Sequence, residues 1–385
     1  MSTSGDTTSV EVRDTLADIS PEAWNQLTTE GNPFLRYEFL FALEQTGCLG
    51  QEKGWFPRYF LVFNDTDLIA ACATYVKTNS YGEFVFDWAW AEAYERHGLD
   101  YYPKLVASIP YTPATGQRLL VRADQDRKAL TLALANTIVA FTEQEKYSST
   151  HWLFVTPDEQ AIMEEAGFMT RKDSQYHWHN RDYTSFDHFL ENCTAKRRKT
   201  LKRERRYVTD ANLRLEHRLG NSLSDTEWSY VHQFYSATFD RKWGSPSLTL
   251  DFFQQIGQTM GERCLIVFAY STTDTPIACS IMFIGDTTLY GRFWGCSEEH
   301  HCLHFEACYY QGIEYCIQHG LQHFEPGAQG EHKITRGFEP TLTYSCHWIA
   351  HEGFRDAIQR YLDMETPQVE ARNEGLQTLL PFRQG

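Results

Sequence analysis

The chain has 385 residues, 42% of them apolar, about twice the length of a typical domain and enough for two packed cores. Its formal net charge of −16 excludes a general nucleic-acid or membrane-surface protein, since those partners demand a broad excess of Lys and Arg; any anionic ligand must be met locally. Ten cysteines without a Cys-x-x-Cys pair, no apolar signal-peptide stretch and no run near the ~20 apolar residues of a membrane span point to reduced thiols and a cytoplasmic location.

In chain order, residues 1–9 are rich in Ser, Thr and Gly and are predicted to be disordered. Ser20 caps a helix opened by Pro21, and Pro33 and Phe34 begin a second one carrying Phe39, Leu40 and Leu43. A meander follows from Phe60 to Trp90. Its last strand is predicted to put Phe84, Phe86, Trp88 and Trp90 on one face and Glu83, Val85, Asp87 and Ala89 on the other. Residues 91–122 hold Tyr94, Tyr101, Tyr102, Lys104 and the turn-rich run from Pro110 to Gly116, and read as too wet for core: a binding loop or a plain surface excursion. A helix over 124–146, a strand over 151–155 and a short helix from Pro157, stopped by Gly167, complete the first half. The second half opens with Phe186 to Leu190 and a basic helix, then repeats the meander from Leu265. It adds a helix over 305–319 capped by Gly320, a strand over 321–325, and an amphipathic helical tail over 353–380.

Two segments recur in the same order. FLVFNDTDLIAACATYVKTNSYGEFVFDWAW (60–90) aligns with LIVFAYSTTDTPIACSIMFIGDTTLYGRFWG (265–295), and Gly167, Phe168, His177 and Trp178 recur as Gly337, Phe338, His347 and Trp348. Such a chain is a tandem duplication whose active surface lies on or between the copies. The offset falls from 205 between Phe60 and Leu265 to 170 between Gly167 and Gly337, so the first copy carries 35 extra residues, assigned to about 91–122.

Strand meander, helix, strand, a short helix ending in EEAGF and a closing hairpin resemble the GNAT acyltransferase fold. Two copies in one chain are similar to the FemAB-like, peptidoglycan biosynthesis/recognition branch of tandem-GNAT acyl/aminoacyltransferases. The stretches YGEFVFDWAWAEAY, YHWHNRDY, KRRKTLKRERR and FEPGAQGEHKITRGFEP carry the likeness. The resemblance implies an α+β protein of two tandem GNAT-like domains, each a mixed, mainly antiparallel sheet flanked by helices. The first spans 10–180 and the second 181–385. It further implies transfer of an acyl or aminoacyl group to an amine of a small or peptide-like acceptor. The pyrophosphate motif of coenzyme-A-dependent GNATs is missing, apart from a near miss from Arg292 to Ser297 that reads as the end of a strand. No resident cofactor is expected, then, with acetyl-CoA only an alternative donor. A CoA-dependent N-acetyltransferase and a non-catalytic module binding a cell-wall precursor or RNA are the competing readings.

Amide formation needs a neutral amine, so a base must take its proton. In a GNAT sheet the fourth and fifth strands splay apart, which makes Glu325 the best-placed base, followed by Glu331 and His332 in the loop behind it; alternatively Glu325 is a surface carboxylate capping the next turn. Lys333 and Arg336 beside Gly327 and Gly330 read either as an anion anchor or as an ordinary turn with solvated charges. The strand and insertion of the first copy, with Lys77, Tyr81, Asp87, Trp88 and Lys104, are expected to line the acceptor cleft, together with Arg292 and Glu306 of the second. Eight cations fall within 196–206; of these Lys196, Arg197, Lys199 and Arg203 are expected to dock a polyphosphate such as aminoacyl-tRNA or a nucleotide-linked precursor, unless the helix is paired to acidic neighbours. His300 and His304 lack the further Cys or His ligands zinc requires, so no metal is expected.

Overall fold

Short apolar runs separated by Asp, Thr and Asn turns become thirteen strands in the computed structural model, which describes residues 8–28, 31–240, 245–328 and 330–383. They are β1 (Thr8–Arg13), β2 (Trp55–Asn64), β3 (Asp67–Lys77), β4 (Lys104–Ala107), β5 (Leu119–Val121), β6 (Ser149–Val155), β7 (Met169–His179), β8 (Arg214–Leu219), β9 (Cys264–Tyr270), β10 (Pro276–Ile284), β11 (Thr288–Cys296), β12 (His323–Glu325) and β13 (Glu339–Ile349). Of the segment read as disordered, Thr8 and Ser9 open β1 and residues 1–7 lie outside the described residues.

Two compact units result, and neither is contiguous in sequence. The first takes 34–173 with the described residues up to 28, and recruits 342–371; the second takes 31–33, 174–341 and the tail from 372. The sequence reading instead draws one division near residue 180. In the first unit β1, β2, β3 and β4 pair antiparallel, β4 pairs parallel with β6, and the 344–349 stretch of β13 pairs with β6. In the second, β8 to β11 run antiparallel, β11 pairs parallel with β12, and Trp178 and His179 of β7 pair with β12. Each Gly-Phe to His-Trp repeat is thus one 11-residue strand rather than the hairpin the sequence suggests.

Capping predictions hold. Ser20 Oγ accepts from Ala23 N, and Gly167 and Gly320 take φ of +84° and +70° at helix stops; Thr156, which the sequence reading did not name, caps the helix Pro157–Glu165. The expected third strand of the first meander does not form. Glu83 lies in an irregular stretch with Gly82 at φ +79° and Phe84 at φ +61°, and Trp88–Arg96 is a helix. The buried residues there, Trp90 and Tyr94, are four apart and Trp88 is 42% exposed, so the helical period wins over strand alternation. The counterpart of β11 is β4, which divides the extra chain of the first copy between the β3–β4 connection and the β4–β6 connection, so that part of it lies earlier than expected. The wet reading of 91–122 also fails: Tyr94, Tyr101, Lys104 and the run 105–114 are buried, and Arg118 gives its guanidinium to the carbonyls of Ala114, Gly116 and Leu153. Saturating buried carbonyls is what lets a turn-rich segment become core.

Both cores are aromatic, the first around Phe60, Trp152 and Trp348 and the second around Trp178, Phe189, Tyr310 and Phe324. All ten cysteines are unpaired in disulfides, and among the described residues no helix is long and apolar enough to cross a membrane.

Candidate active site

β11 and β12 stay together for only three residue pairs, Thr288 with His323, Leu289 with Phe324 and Tyr290 with Glu325, while β11 runs on to Cys296. Beyond the last pair the second unit opens a cavity of about 320 Å³, with Arg292, Trp294, His304, Tyr309, His332 and Lys333 among its lining residues. Gly291 permits the close approach of the loop after β12, since a Cβ there would stand 3.2 Å from Pro326 Cα. A turn of π-helix, Glu306–Tyr310, interrupts the helix behind the cavity. Its Cys308 and Tyr309 both reach the wall, and such turns are frequent at functional sites.

Lys333 is the residue most perturbed by this setting. Its side chain is 2% exposed, and Nζ donates to the carbonyl of Gly327 at 2.6 Å, an oxygen presented by a glycine at φ +92°. No carboxylate pairs with it among the described residues, so burial, aided by the charge of Arg292, pushes its pKa down to about 7. Burial also lowers Arg292, to about 10, against the opposing charge of Glu325, which leaves it cationic at pH 7. His304 is pushed down to about 4 by burial and neighbouring cations, and His332 is lowered for the same reasons. His332 Nε2 shares a hydrogen bond with Tyr309 OH at 2.9 Å. At neutral pH the wall therefore combines one fixed cation, two neutral imidazoles and an amine poised to hold or release a proton.

Of the sequence candidates, Arg292, His332 and Lys333 come together here. Glu325 ends β12 half-buried, is not among the lining residues, and influences the wall through its charge on Arg292. Glu331 is exposed and ion-paired with Arg372 at 2.5 Å. Glu306 is buried under Arg205, which also holds Glu314. Arg336 is committed too: it meets Glu204 at 2.8 Å, donates to the carbonyl of His332 and lies 3.6 Å over the Phe305 ring, so it braces the loop. Through these contacts helix Ala195–Asp210 is clamped to the cavity's loop by Glu204 and to the π-turn and the helix after it by Arg205, while Lys196, Lys199 and Arg203 are exposed, Arg197 is half-exposed, and none of the four has an ion-pair partner among the described residues.

The first-unit candidates build a buried ionic knot instead of an open cleft. Lys104 Nζ, wholly buried, donates to Glu83 at 2.8 Å, to Ser80 Oγ at 2.9 Å and to Asp87, whose carboxylate also accepts Tyr101 OH at 2.6 Å. Burial works against charge on Asp87, yet the Lys104 ammonium outweighs it and holds that carboxyl well below its usual range; Glu83, for which burial wins, is pushed up to about 7. Lys77 sits 3.8 Å over the Trp55 ring, donates to the carbonyl of Tyr81 and is pushed down by burial to about 7. Tyr81 and Trp88 are exposed and meet edge to face at 5.2 Å.

Sequence reasoning did not single out Tyr309 or Cys308, because a π-turn leaves no periodic signature; His304 was weighed only as a metal ligand. Among the described residues no group of three or more His, Cys, Asp or Glu could hold a metal ion.

A family model described as peptidoglycan biosynthesis/recognition, FemAB-like, matches residues 15–384. Among solved structures, FemX superposes with a TM-score of 0.55 at 10% identity, over 91% of this chain and 100% of its own. L-PGS from Bacillus licheniformis gives 0.52 at 12% identity over 92% and 99%, and the C-terminal domain of a putative lysylphosphatidylglycerol synthetase from Agrobacterium fabrum gives 0.50 at 9% over 76% and 85%. At these identities the likeness is one of fold. No curated protein sequence matches the chain. With the family model spanning nearly the whole chain, the protein belongs to the FemAB-like, peptidoglycan biosynthesis/recognition family.

Proposed function

We propose that the second-unit cavity joins an acyl or aminoacyl group, delivered as an ester, to an amine of a peptide-like acceptor in peptidoglycan-type chemistry, in a cytoplasmic setting. The single observation that carries this reading is Lys333, buried on the cavity wall with a pKa brought to about 7 and a fixed cation, Arg292, beside it. The acceptor enters as the neutral amine, with Lys333 neutral beside it. As the amine nitrogen attacks the ester carbonyl and gains positive charge it passes one proton to Lys333, the negative charge that develops on oxygen faces Arg292, and collapse breaks the ester C–O bond. The departing hydroxyl takes its proton back from Lys333. A base matched to the operating pH typically contributes ~10²–10⁴-fold. The choice between bases is testable. With a lysine-bearing peptide as acceptor and an aminoacyl ester as donor, Glu325→Gln should lower turnover by less than ~10-fold, because Glu325 acts only through Arg292, whereas a general base lost would cost ~10²-fold or more. A larger fall in Glu325→Gln at unchanged stability would return the role to Glu325.

The unpaired cations of helix Ala195–Asp210 support a phosphate-bearing donor, aminoacyl-tRNA or a nucleotide-linked precursor. Each neutralised phosphate adds about 0.7–0.9 to the slope of log affinity against log salt. Changing Lys196, Arg197, Lys199 and Arg203 together to Ala should weaken tRNA binding and flatten that slope by about 3. A slope equal to wild type would leave the helix with a structural role only.

A further inference from the structure

A second group of acid–base side chains lies in the first unit, outside the cavity just described. Where β13 pairs with β6 the register shifts between Tyr344 and Ser345, and Phe154 is the extra residue on the facing strand. Phe154 takes φ +57°, a conformation that a bulky side chain adopts only under constraint. Bulges of this kind collect beside active sites, where they re-aim a side chain. Phe154 and Ser345 both face a cavity of about 40 Å³ whose wall also includes Phe86, Arg171 and Thr343. By the measure that one water needs ~10–15 Å³, the space admits a group of two or three heavy atoms.

Behind Ser345 runs an unbroken line of hydrogen bonds. Ser345 Oγ is 2.8 Å from His347 Nε2, His347 Nδ1 is 2.7 Å from His151 Nδ1, His151 Nε2 is 2.8 Å from Ser149 Oγ and 3.3 Å from Tyr101 OH, and Tyr101 OH is 2.6 Å from Asp87. The direction of these bonds follows from its far end. The Asp87 carboxylate can only accept, and the Lys104 ammonium keeps it ionised, so Tyr101 spends its proton on Asp87 and offers a lone pair to His151. His151 then carries its proton on Nε2 and accepts at Nδ1 from His347. That leaves His347 Nε2 bare and aimed at the Ser345 hydroxyl. Both rings are buried and held neutral, so the lone pair is available.

We propose that Ser345 is a nucleophile in its own right, with His347 as its base, His151 and Tyr101 as positioning residues, and a small activated carboxylic ester as its substrate class. In the step, Ser345 Oγ bonds to the ester carbonyl carbon and passes its proton to His347 Nε2. The ester C–O bond then breaks and the alcohol leaves with that proton. The product is an acyl ester of Ser345, which one water later hydrolyses to the free acid and the regenerated hydroxyl. Nothing in this step draws on the second-unit cavity.

The test treats the full chain with p-nitrophenyl acetate and locates acetyl groups by peptide mass spectrometry, using neutral hydroxylamine to distinguish a serine ester from lysine amides. The expected result is a hydroxylamine-labile acetyl on Ser345, absent in Ser345→Ala and formed at least ~10²-fold more slowly in His347→Gln. Tyr101→Phe should lower the first-order acetylation constant while leaving the ester concentration at half-saturation unchanged, a split that loss of packing alone would not give. No ester on Ser345 in the wild type, or an equal rate in His347→Gln, overturns the proposal. Should His347→Gln not fold, a p-nitrophenol burst of wild-type size in folded Ser345→Ala overturns it equally.

Discussion

Lys333→Met should lower transfer to an amine acceptor by at least ~10²-fold, about 2.7 kcal/mol of transition-state stabilisation. Lys333→Arg should be nearly as poor. Arginine keeps the cation but cannot give up its proton, so the pair of variants separates a base from a merely electrostatic role. The wild-type rate at low substrate should rise with pH through about 7, the value to which burial brings Lys333, because only the neutral amine can accept a proton. In both variants that limb should vanish, and the remaining rate should follow ionisation of the acceptor alone. Stability need not suffer, since no carboxylate loses a partner when this ammonium is removed. An active Lys333→Arg with the wild-type pH profile would show that positive charge, not proton transfer, is what the site supplies.

The parts of this architecture written in local chemistry could be read from the sequence. Ser20, Gly167 and Gly320 mark helix ends because their side chains, or the lack of one, satisfy a terminal backbone group without help from distant residues. The repeat of Gly, Phe, His and Trp marks two equivalent segments, but these read as closing hairpins and are the single strands β7 and β13. What failed was read from composition. Residues 91–122 carry too many turn and tyrosine residues to look like core, yet Arg118 and the Lys104 knot satisfy their polar groups internally. The stretch around Trp88 alternates like a strand, but the carboxylates of Glu83 and Asp87 are drawn to Lys104, a residue 17 positions beyond Asp87, and the chain turns helical to bury Trp90 and Tyr94. The site divides along the same line. Arg292, His332 and Lys333 could be singled out because strand-end geometry belongs to the fold, though Lys333 only as an anion anchor, whereas its depressed pKa depends on which side chains fail to reach it, and only the packed chain reveals that.

The largest stability effect should come from that knot. Lys104→Met removes a wholly buried ammonium while leaving Glu83 and Asp87, both about 3% exposed, without their partner. Breaking a buried pair on one side typically costs about 3–5 kcal/mol, because the surviving charge must be buried alone or neutralised. The pH dependence has a definite sign. In the wild type Lys104 holds Asp87 well below its usual range, so this carboxylate contributes stability that is present above its unfolded value of about 4 and is lost as pH falls from there through the folded-state value. Without the ammonium, burial raises Asp87 above its unfolded value of about 4 and lifts Glu83, already near 7, further still, and a group raised in the folded state contributes stability that is present below the unfolded value and lost as pH rises. The gap between wild type and Lys104→Met should therefore be smallest near pH 4 and widen toward pH 8, as urea denaturation across that range would record. A constant gap would mean that the loss is one of packing alone. In that case the aliphatic stem of Lys104, and not its charge, would be what holds 83–87 against β4.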